Sequence, residues 1–254
     1  MKNKNICTLM YHDVYDVSIQ DSGFNIDSNY PYKLHVKAFE EQIKAISDYI
    51  NTHDIDKDYV QLSFDDGGVS FYTIIMPIIE KYGFKGYFYI ATKYLGQEGF
   101  LTESMIKEMA NRGHIIGGHS HTHRQRMNDL PYDELKKDWG VCLKKLSEIT
   151  GQPCTIASLP NGFTSSTIMQ VLKELGIKEL YTSEPSEKLQ ISGDLFIRGR
   201  YGIRSTMSLD DVLAITFDES RKRKLRRKKA VLNFIKKVMG SSYIKVREFI
   251  FKHK

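Results

Sequence analysis

Residues 60–68 read Val-Gln-Leu-Ser-Phe-Asp-Asp-Gly-Gly, an apolar run followed by two carboxylates and two glycines. The apolar run from Tyr59 to Phe64 predicts a buried strand. Asp65 and Asp66 follow it, and two glycines then allow a sharp turn. Taken alone, such a stretch is more typical of a polar turn than of a functional site. Adjacent residues at a strand end point in opposite directions, so one carboxylate could ligate a metal ion while the other stays free as a base.

A second polar cluster has three histidines within five residues, in the order Gly117-Gly118-His119-Ser120-His121-Thr122-His123. His119 and His123 would share one face of a helix, and they could also converge from a loop, whereas His119 and His121 would share a face only in a strand. Two imidazoles with Asp65 or Asp66 make the three-ligand set of many catalytic zinc sites. The cluster therefore predicts a site for Zn²⁺ or another divalent transition metal.

Strands and helices alternate along the chain, which predicts a parallel α/β sheet or barrel. The predicted strands cover residues 5–11, 59–64, 85–91, 114–118, 154–159, 177–182 and 195–203. The predicted helices cover residues 36–50, 71–82, 102–112, 131–149, 166–175 and 208–215, and the predicted loops include 13–34 and 183–193. Polar groups follow four strands, beginning at His12, Asp65, His119 and Pro160. Because carboxyl ends of parallel strands meet at one rim, we expect these groups to form one site.

Charge is distributed unevenly over the 254 residues, whose net charge is +6. Residues 221–254 hold 14 of the 37 Lys and Arg residues and one acid, Glu248, so the preceding 220 residues are net acidic. We therefore divide the chain into a domain of residues 1–218 and a basic amphipathic helical tail of residues 219–254. The charge pattern favours an anionic membrane surface over a solvated helix packed on the body. Few aromatic residues interrupt the basic run, so no nucleic acid is expected as a partner.

The three cysteines, Cys7, Cys142 and Cys154, match no zinc-binding spacing and predict reduced thiols. Neither a signal peptide nor a membrane-spanning stretch is predicted. These features predict a cytoplasmic protein whose tail can bind the inner face of the membrane.

The two polar clusters together resemble the motifs of the polysaccharide deacetylase family, the NodB-homology enzymes of carbohydrate esterase family 4. Residues 63–67 resemble its first motif, and residues 119–123 resemble its second motif, which residues 113–119 approach in the same way. Residues 159–162 resemble its third motif, and the whole resemblance covers roughly residues 5–205. It implies a distorted, incomplete (β/α) barrel of the NodB type.

The resemblance also implies an activity and roles for individual residues. The activity would be metal-dependent removal of N-acetyl groups from an amino sugar in a polysaccharide or lipid-linked glycan intermediate. Asp65 would be the general base, and Asp66, His119 and His123 would bind the metal, for which Zn²⁺ suits the ligand types. The candidate substrate-binding residues are Tyr11, Pro160, Asn161 and Arg200.

Two departures from the family pattern affect the catalytic groups. The arginine that usually stands two residues before the proline of the third motif is replaced by Ser158. The usual C-terminal Leu-x-His motif, which supplies the general acid, is absent, and neither His53 nor His253 replaces it. However, residues 10–12, Met-Tyr-His, resemble the N-terminal Tyr-His of the circularly permuted poly-N-acetylglucosamine deacetylases. That resemblance implies that His12 is the general acid.

Three interpretations stay open from the sequence. Arg200 could replace the missing arginine by orienting Asp65, or it could form a surface salt bridge. The whole protein could be a catalytically impaired carbohydrate-binding protein that retains the fold. An amidohydrolase that uses His119 and His121 is a weaker option, because such a site needs further ligands late in the chain and only His253 follows His123.

Overall fold

The computed structural model describes residues 5–162 and 164–239, with side chains as far as Phe234. The strands in this part of the chain are β1 (Cys7–Tyr11), β2 (Val14–Tyr15), β3 (Leu34–His35), β4 (Val60–Asp66), β5 (Gly86–Ile90), β6 (Ile115–Gly118), β7 (Ile156–Ser158), β8 (Glu179–Tyr181), β9 (Gln190–Ser192), β10 (Leu195–Arg198) and β11 (Tyr201–Gly202). The helices are α1 (Val36–Thr52), α2 (Met76–Lys81), α3 (Glu103–Asn111), α4 (Tyr132–Thr150), α5 (Ser166–Glu174), α6 (Leu209–Phe217) and α7 (Glu219–Met239).

Nine strands form one curled sheet in the order β11-β1-β4-β5-β6-β7-β8-β10-β9. Neighbouring strands are parallel, except for the antiparallel pair β9 and β10. Only Gly199 and Arg200 separate β10 from β11, although these strands lie near opposite ends of the strand order. Three residue steps span at most about 11 Å, so the sheet must curl until its two sides nearly meet. The predicted incomplete (β/α) barrel is therefore confirmed.

The predicted strand at 195–203 is wrong in one respect, because it is two strands with different partners. β10 pairs with β8, and β11 pairs with β1. The break falls at Gly199, where a Cβ atom would lie 2.2 Å from the carbonyl oxygen of Glu184. Arg198-Gly199-Arg200 interrupts the apolar run at this break, so the isolated glycine was a sequence signal of it. The predicted loop 183–193 also contains a strand, β9.

The apolar faces of the helices pack against this sheet. In α1, the buried residues Phe39, Ile43, Ile46 and Ile50 follow the helical spacing that the sequence predicted. They join a large core around β1, β4 and β5. A smaller core surrounds Trp139 where α4 and α5 cover β7 and β8. The helices thus hold the strands from outside and leave the carboxyl ends of β4, β6 and β7 to form one rim.

The first turns of α7 pack against the body of the protein. Lys222 is 1% exposed, and its ammonium group donates to Tyr59 and to Glu187, the latter at 2.6 Å. Arg226 donates to the hydroxyl of Tyr201 at 3.2 Å. The part of the predicted tail beyond Met239 lies outside the described residues, and the division at residue 218 stays a prediction. Within the described residues, no helix combines the length and apolar character needed to cross a bilayer.

Candidate active site

Asp65 and Asp66 are the last two residues of β4, so the strand extends further than the sequence predicted. Asp66 has a φ of +95°, and Gly67 follows with a φ of +96°. A non-glycine residue in such a conformation costs roughly 1–3 kcal/mol, a strain that is typical of functional sites. It changes the direction of the Asp66 side chain. Oxygens of Asp65 and Asp66 consequently lie 4.0 Å and 3.4 Å from the same atom, Nε2 of His119. The expectation that the two carboxylates point in opposite directions is therefore wrong.

The histidines lie on the loop after β6, so they converge from a loop and not from a helix. Ser120 and His123 have φ values of +63° and +50°, and the main-chain N–H of His123 donates to the Ser120 hydroxyl at 3.0 Å. Asp138 of α4 fixes the loop by accepting the main-chain N–H groups of His121 and Thr122 at 2.8 and 3.2 Å. Sequence reasoning missed Asp138, because nothing in its helical surroundings distinguishes it from a surface acid.

Asp66, His119 and His123 bring their ligand atoms within 4.8 Å of one another. Oδ1 of Asp66 lies 3.4 Å from Nε2 of His119 and 3.1 Å from Nε2 of His123. Ligands around a tetrahedral zinc ion are roughly 3.4 Å apart, given metal–ligand distances of 2.0–2.2 Å. These three residues therefore fit a divalent metal. His121 has a different neighbour, since its Nδ1 lies 3.0 Å from the hydroxyl of Thr92.

The tautomer of His119 is suited to metal binding. Its Nδ1 lies 2.9 Å from the carbonyl oxygen of Ser158. Because a carbonyl oxygen can only accept, Nδ1 carries a hydrogen, and Nε2, which faces Asp66, is the ring nitrogen available to a metal. A hydrogen bond of this kind on the far ring nitrogen is a usual feature of metal-ligating histidines.

Arg200 holds the Asp65 carboxylate with two hydrogen bonds, from Nη1 to Oδ1 at 2.6 Å and from Nη2 to Oδ2 at 2.7 Å. Its Nε donates to the carbonyl oxygen of Thr182 at 3.2 Å. Arg200 is 1% exposed, so the alternative of a surface salt bridge is wrong. The break between β10 and β11 is what brings this guanidinium across the barrel to the end of β4.

Ser158 occupies the position where the family pattern has an arginine. Its hydroxyl accepts from Nη2 of Arg200 at 2.6 Å and donates to Oδ2 of Asp65 at 3.1 Å. A serine is small enough to leave room for a guanidinium that arrives from another strand. Ser158 thus leaves the space, and Arg200 supplies from another strand the guanidinium that the family pattern places at residue 158.

Both carboxylates are ionised at neutral pH. Burial would raise the pKa of Asp65, but the Arg200 guanidinium outweighs it and holds the pKa below its ordinary value. Burial would also raise the pKa of Asp66, yet His123 and His119 keep that pKa well below its usual range. An ionised Asp66 is what metal binding requires.

His12 and Tyr11 have different surroundings although they are neighbours at the end of β1. The Tyr11 side chain is buried, stacks on Phe64 and donates its hydroxyl to Gln42 at 3.2 Å. That geometry argues against a direct substrate contact by Tyr11. His12 packs against Tyr32, and its buried Nδ1 has no hydrogen-bond partner within the described residues. Burial lowers the pKa of His12, although the charges of Asp66 and Asp65 oppose this shift.

Pro160 and Asn161 follow β7 at the same rim. Pro160 is buried, and Asn161 is exposed with a φ of +56°. They lie two and three residues after Ser158, which contacts Asp65. Their role in binding substrate stays a prediction.

The long loop between β2 and β3 contributes contacts that sequence reasoning did not identify. The Phe24 ring stacks on the His123 ring with centroids 4.8 Å apart. The Asn29 amide donates to Oδ2 of Asp66 at 3.1 Å. The length of the loop was the only sequence signal of function here, and it does not indicate which residues reach the site.

Comparisons with known proteins agree with this geometry. The model of the polysaccharide deacetylase family matches residues 52–180, which is half of the chain. YxkH of Bacillus subtilis (strain 168) is 29% identical over 126 residues, or 50% of this chain and 45% of YxkH. The peptidoglycan-N-acetylmuramic acid deacetylase PdaA of the same organism is 25% identical over 126 residues, or 49% of this chain and 46% of PdaA. The chain thus spans about half the length of these curated relatives.

Among solved structures, the Streptococcus pyogenes deacetylase PplD in complex with acetate has a TM-score of 0.70 at 21% identity. The similarity covers 84% of this chain and 99% of PplD, and at this identity it shows the fold alone. The family assignment comes from the matched sequence, which includes both aspartates of β4 and the two histidines that could ligate a metal. On these grounds, the chain belongs to the polysaccharide deacetylase family.

Proposed function

We propose that this protein is a metal-dependent hydrolase that removes N-acetyl groups from an amino sugar in a polysaccharide or lipid-linked glycan. The observation that carries the proposal is the ionised Asp65, held by Arg200, beside the three converging side chains of Asp66, His119 and His123. The relative PdaA, named for deacetylation of an N-acetylated amino sugar, supports the same substrate class.

In the proposed reaction, Asp66, His119 and His123 would hold the cation, for which Zn²⁺ suits the donor set. When bound, the cation supplies Lewis-acid polarisation of the acetyl carbonyl. Asp65 accepts a proton from the attacking water, and its two hydrogen bonds from Arg200 keep the carboxylate oriented. His12 donates a proton to the departing amine, because a free amine is a poor leaving group until it is protonated.

The alternative of a catalytically impaired carbohydrate-binding protein rested on two missing groups, the motif arginine and the C-terminal histidine. Arg200 provides a guanidinium in direct contact with Asp65. His12 provides a half-buried imidazole whose pKa the charges of Asp66 and Asp65 act to raise. Both observations favour the enzyme.

The test is acetate release from N-acetylglucosamine oligomers and lipid-linked acetamido sugars, measured with added Zn²⁺ and after treatment with a chelator. We expect His12→Ala to lower kcat by about 10²-fold, the usual effect of losing a general acid. His53→Ala, a change at an exposed histidine, is the matched control and should keep full activity. Release that His12→Ala leaves intact would return His12 to a structural role. A metal-loaded protein that releases no acetate from any of these substrates would favour the binding protein.

The pH profile separates a catalytic His12 from a structural one. Catalysis needs Asp65 ionised and His12 protonated. Burial lowers the pKa of His12 below its ordinary 6.5, so its acid form is lost as the pH rises through that lowered value. We therefore expect kcat of the native enzyme to decline as the pH rises, beginning below pH 6.5. The residual activity of His12→Ala should lack this decline.

We also propose that α7 binds an anionic membrane surface. One face of this helix contacts the body of the protein, through hydrogen bonds of Lys222 and Arg226. The opposite face leaves four cations exposed, Arg223, Lys224, Arg227 and Lys228, and also two apolar residues, Val231 at 59% and Phe234 at 68% exposure. Cations beside apolar side chains suit a lipid surface with anionic headgroups. The cytoplasmic location stays a prediction.

Flotation with vesicles of anionic or zwitterionic lipid tests this surface. The change Arg223→Glu with Arg227→Glu should weaken binding to anionic vesicles at least about tenfold, since each basic residue near such a surface contributes about 1 kcal/mol. Lys37→Glu with Lys107→Glu changes the net charge equally at exposed sites elsewhere and should have little effect. Equal binding by both double variants would contradict a role for α7.

A further inference from the structure

The two oxygens of the Asp66 carboxylate have different partners. Oδ1 faces Nε2 of His119 and Nε2 of His123. Oδ2 accepts a hydrogen bond from the side-chain amide of Asn29 at 3.1 Å. Asp66 is buried, so a carboxylate oxygen without this donor would lose the hydration that compensates its charge. Asn29 therefore holds one oxygen of the Asp66 carboxylate, and this contact orients the carboxylate so that its other oxygen is directed toward the histidines.

The amide of Asn29 has a defined orientation. Oδ1 of Asn29 lies 3.1 Å from the Ser28 hydroxyl, which donates to it. Nδ2 is then the atom that faces Asp66, as it must be, because an ionised carboxylate accepts and cannot donate. The main chain of Asn29 is also held, since its N–H donates to Ile26 and its carbonyl accepts from Tyr32, each at 2.9 Å.

Two buried charged residues hold the loop that carries Asn29. Lys33 donates to the carbonyl oxygen of Ile19 at 2.9 Å and to the Asn25 side chain at 2.7 Å. Asp13 accepts from the hydroxyls of Ser22 and Ser70 at 2.7 and 3.0 Å, and burial raises the pKa of Asp13 to about 6. None of these contacts involves a metal ligand. The loop can therefore place Asn29 before any cation binds.

We propose that Asn29 is a positioning residue that orients Asp66 for cation binding, an inference that rests on the proposed metal site. Hydrogen bonds to ligating carboxylates fix their direction, and their loss typically lowers metal affinity by about 10–100-fold. The loop between β2 and β3 thus belongs to the metal site although it provides no ligand itself.

Equilibrium binding of Co²⁺ and Zn²⁺ to metal-free protein, with the visible spectrum of the Co²⁺ form, tests this role without an activity assay. We expect Asn29→Ala and the nearly isosteric Asn29→Leu to weaken binding by about tenfold or more and to alter the Co²⁺ spectrum. Asn29→Leu also excludes water that could replace the amide. Asn51→Ala, the same change at an exposed position of α1, is the matched control and should bind like the native protein.

The outcomes distinguish this inference from the proposed function. Native protein that binds neither cation would overturn the metal site itself. Native affinity and an unchanged spectrum in both Asn29 variants would overturn the role of Asn29 alone. If the metal-free Asn29 variants also unfold at a lower temperature, and the loss in folding free energy is as large as the loss in binding free energy, Asn29 acts in folding. That result would overturn the positioning role.

Discussion

Replacing Asp65 with Asn is expected to lower kcat for acetate release by about 10³-fold, within the usual contribution of a general base, while the cation still binds. Asparagine has the shape of aspartate but cannot accept a proton from water. Asp66, His119 and His123 provide the ligand set, so Asp65→Asn leaves that set complete. Acetate release and Zn²⁺ affinity should be measured on the same preparation.

Asp66→Asn is the matched variant, since it makes the same chemical change one residue along β4. It should lose most of the cation affinity, because an amide oxygen is a far weaker ligand than an ionised carboxylate. Two adjacent, isosteric changes would then separate catalysis from metal binding. Full activity in Asp65→Asn would show that the base has been assigned to the wrong residue.

Replacing Arg200 with Met is expected to destabilise the protein by about 3–5 kcal/mol, the usual cost of removing one partner of a buried ion pair. Asp65 would be left buried with an uncompensated charge. Without the guanidinium, burial would raise the pKa of Asp65, so the variant should lose less stability at acid pH, where the carboxylate is neutral. Urea unfolding at neutral and acid pH measures both effects.

Arg124→Met is the control for Arg200→Met. Arg124 pairs with Glu134 at 3.3 Å, and both side chains are more than half exposed, so the change should cost at most about 1 kcal/mol. The double variant Arg200→Met with Asp65→Asn should recover part of the lost stability, because no charge is then buried alone. An Arg200→Met protein as stable as the native one would contradict the buried pair.

The sequence predicted where the residues of the candidate site lie along the chain. Polar residues lie at or just after the carboxyl ends of β1, β4, β6 and β7, and parallel strands bring these ends to one rim. This inference needs only the order of elements, which apolar periodicity shows well. Residue types and spacing also identified one of the two aspartates and the histidine cluster as candidate metal ligands, and the family resemblance narrowed this set to Asp66, His119 and His123.

The tertiary structure decided how those groups meet. Asp65 and Asp66 approach the same histidine because Asp66 adopts a φ of +95°, a conformation that local preferences do not predict. His119 and His123 converge through a loop that Asp138 holds from α4. Each of these features depends on contacts between different elements.

The partners of Asp65 and Asp66 also come from distant parts of the chain. Arg200 lies 135 residues from Asp65 in the sequence, and Asn29 lies 37 residues before Asp66. Periodicity and motif spacing describe a residue through its neighbours along the chain. The curvature of the sheet and the break at Gly199 determine which distant side chain arrives at the rim. The sequence could therefore offer the pairing of Arg200 with Asp65 only as one of two alternatives and did not indicate Asn29, and the folded structure decided both contacts.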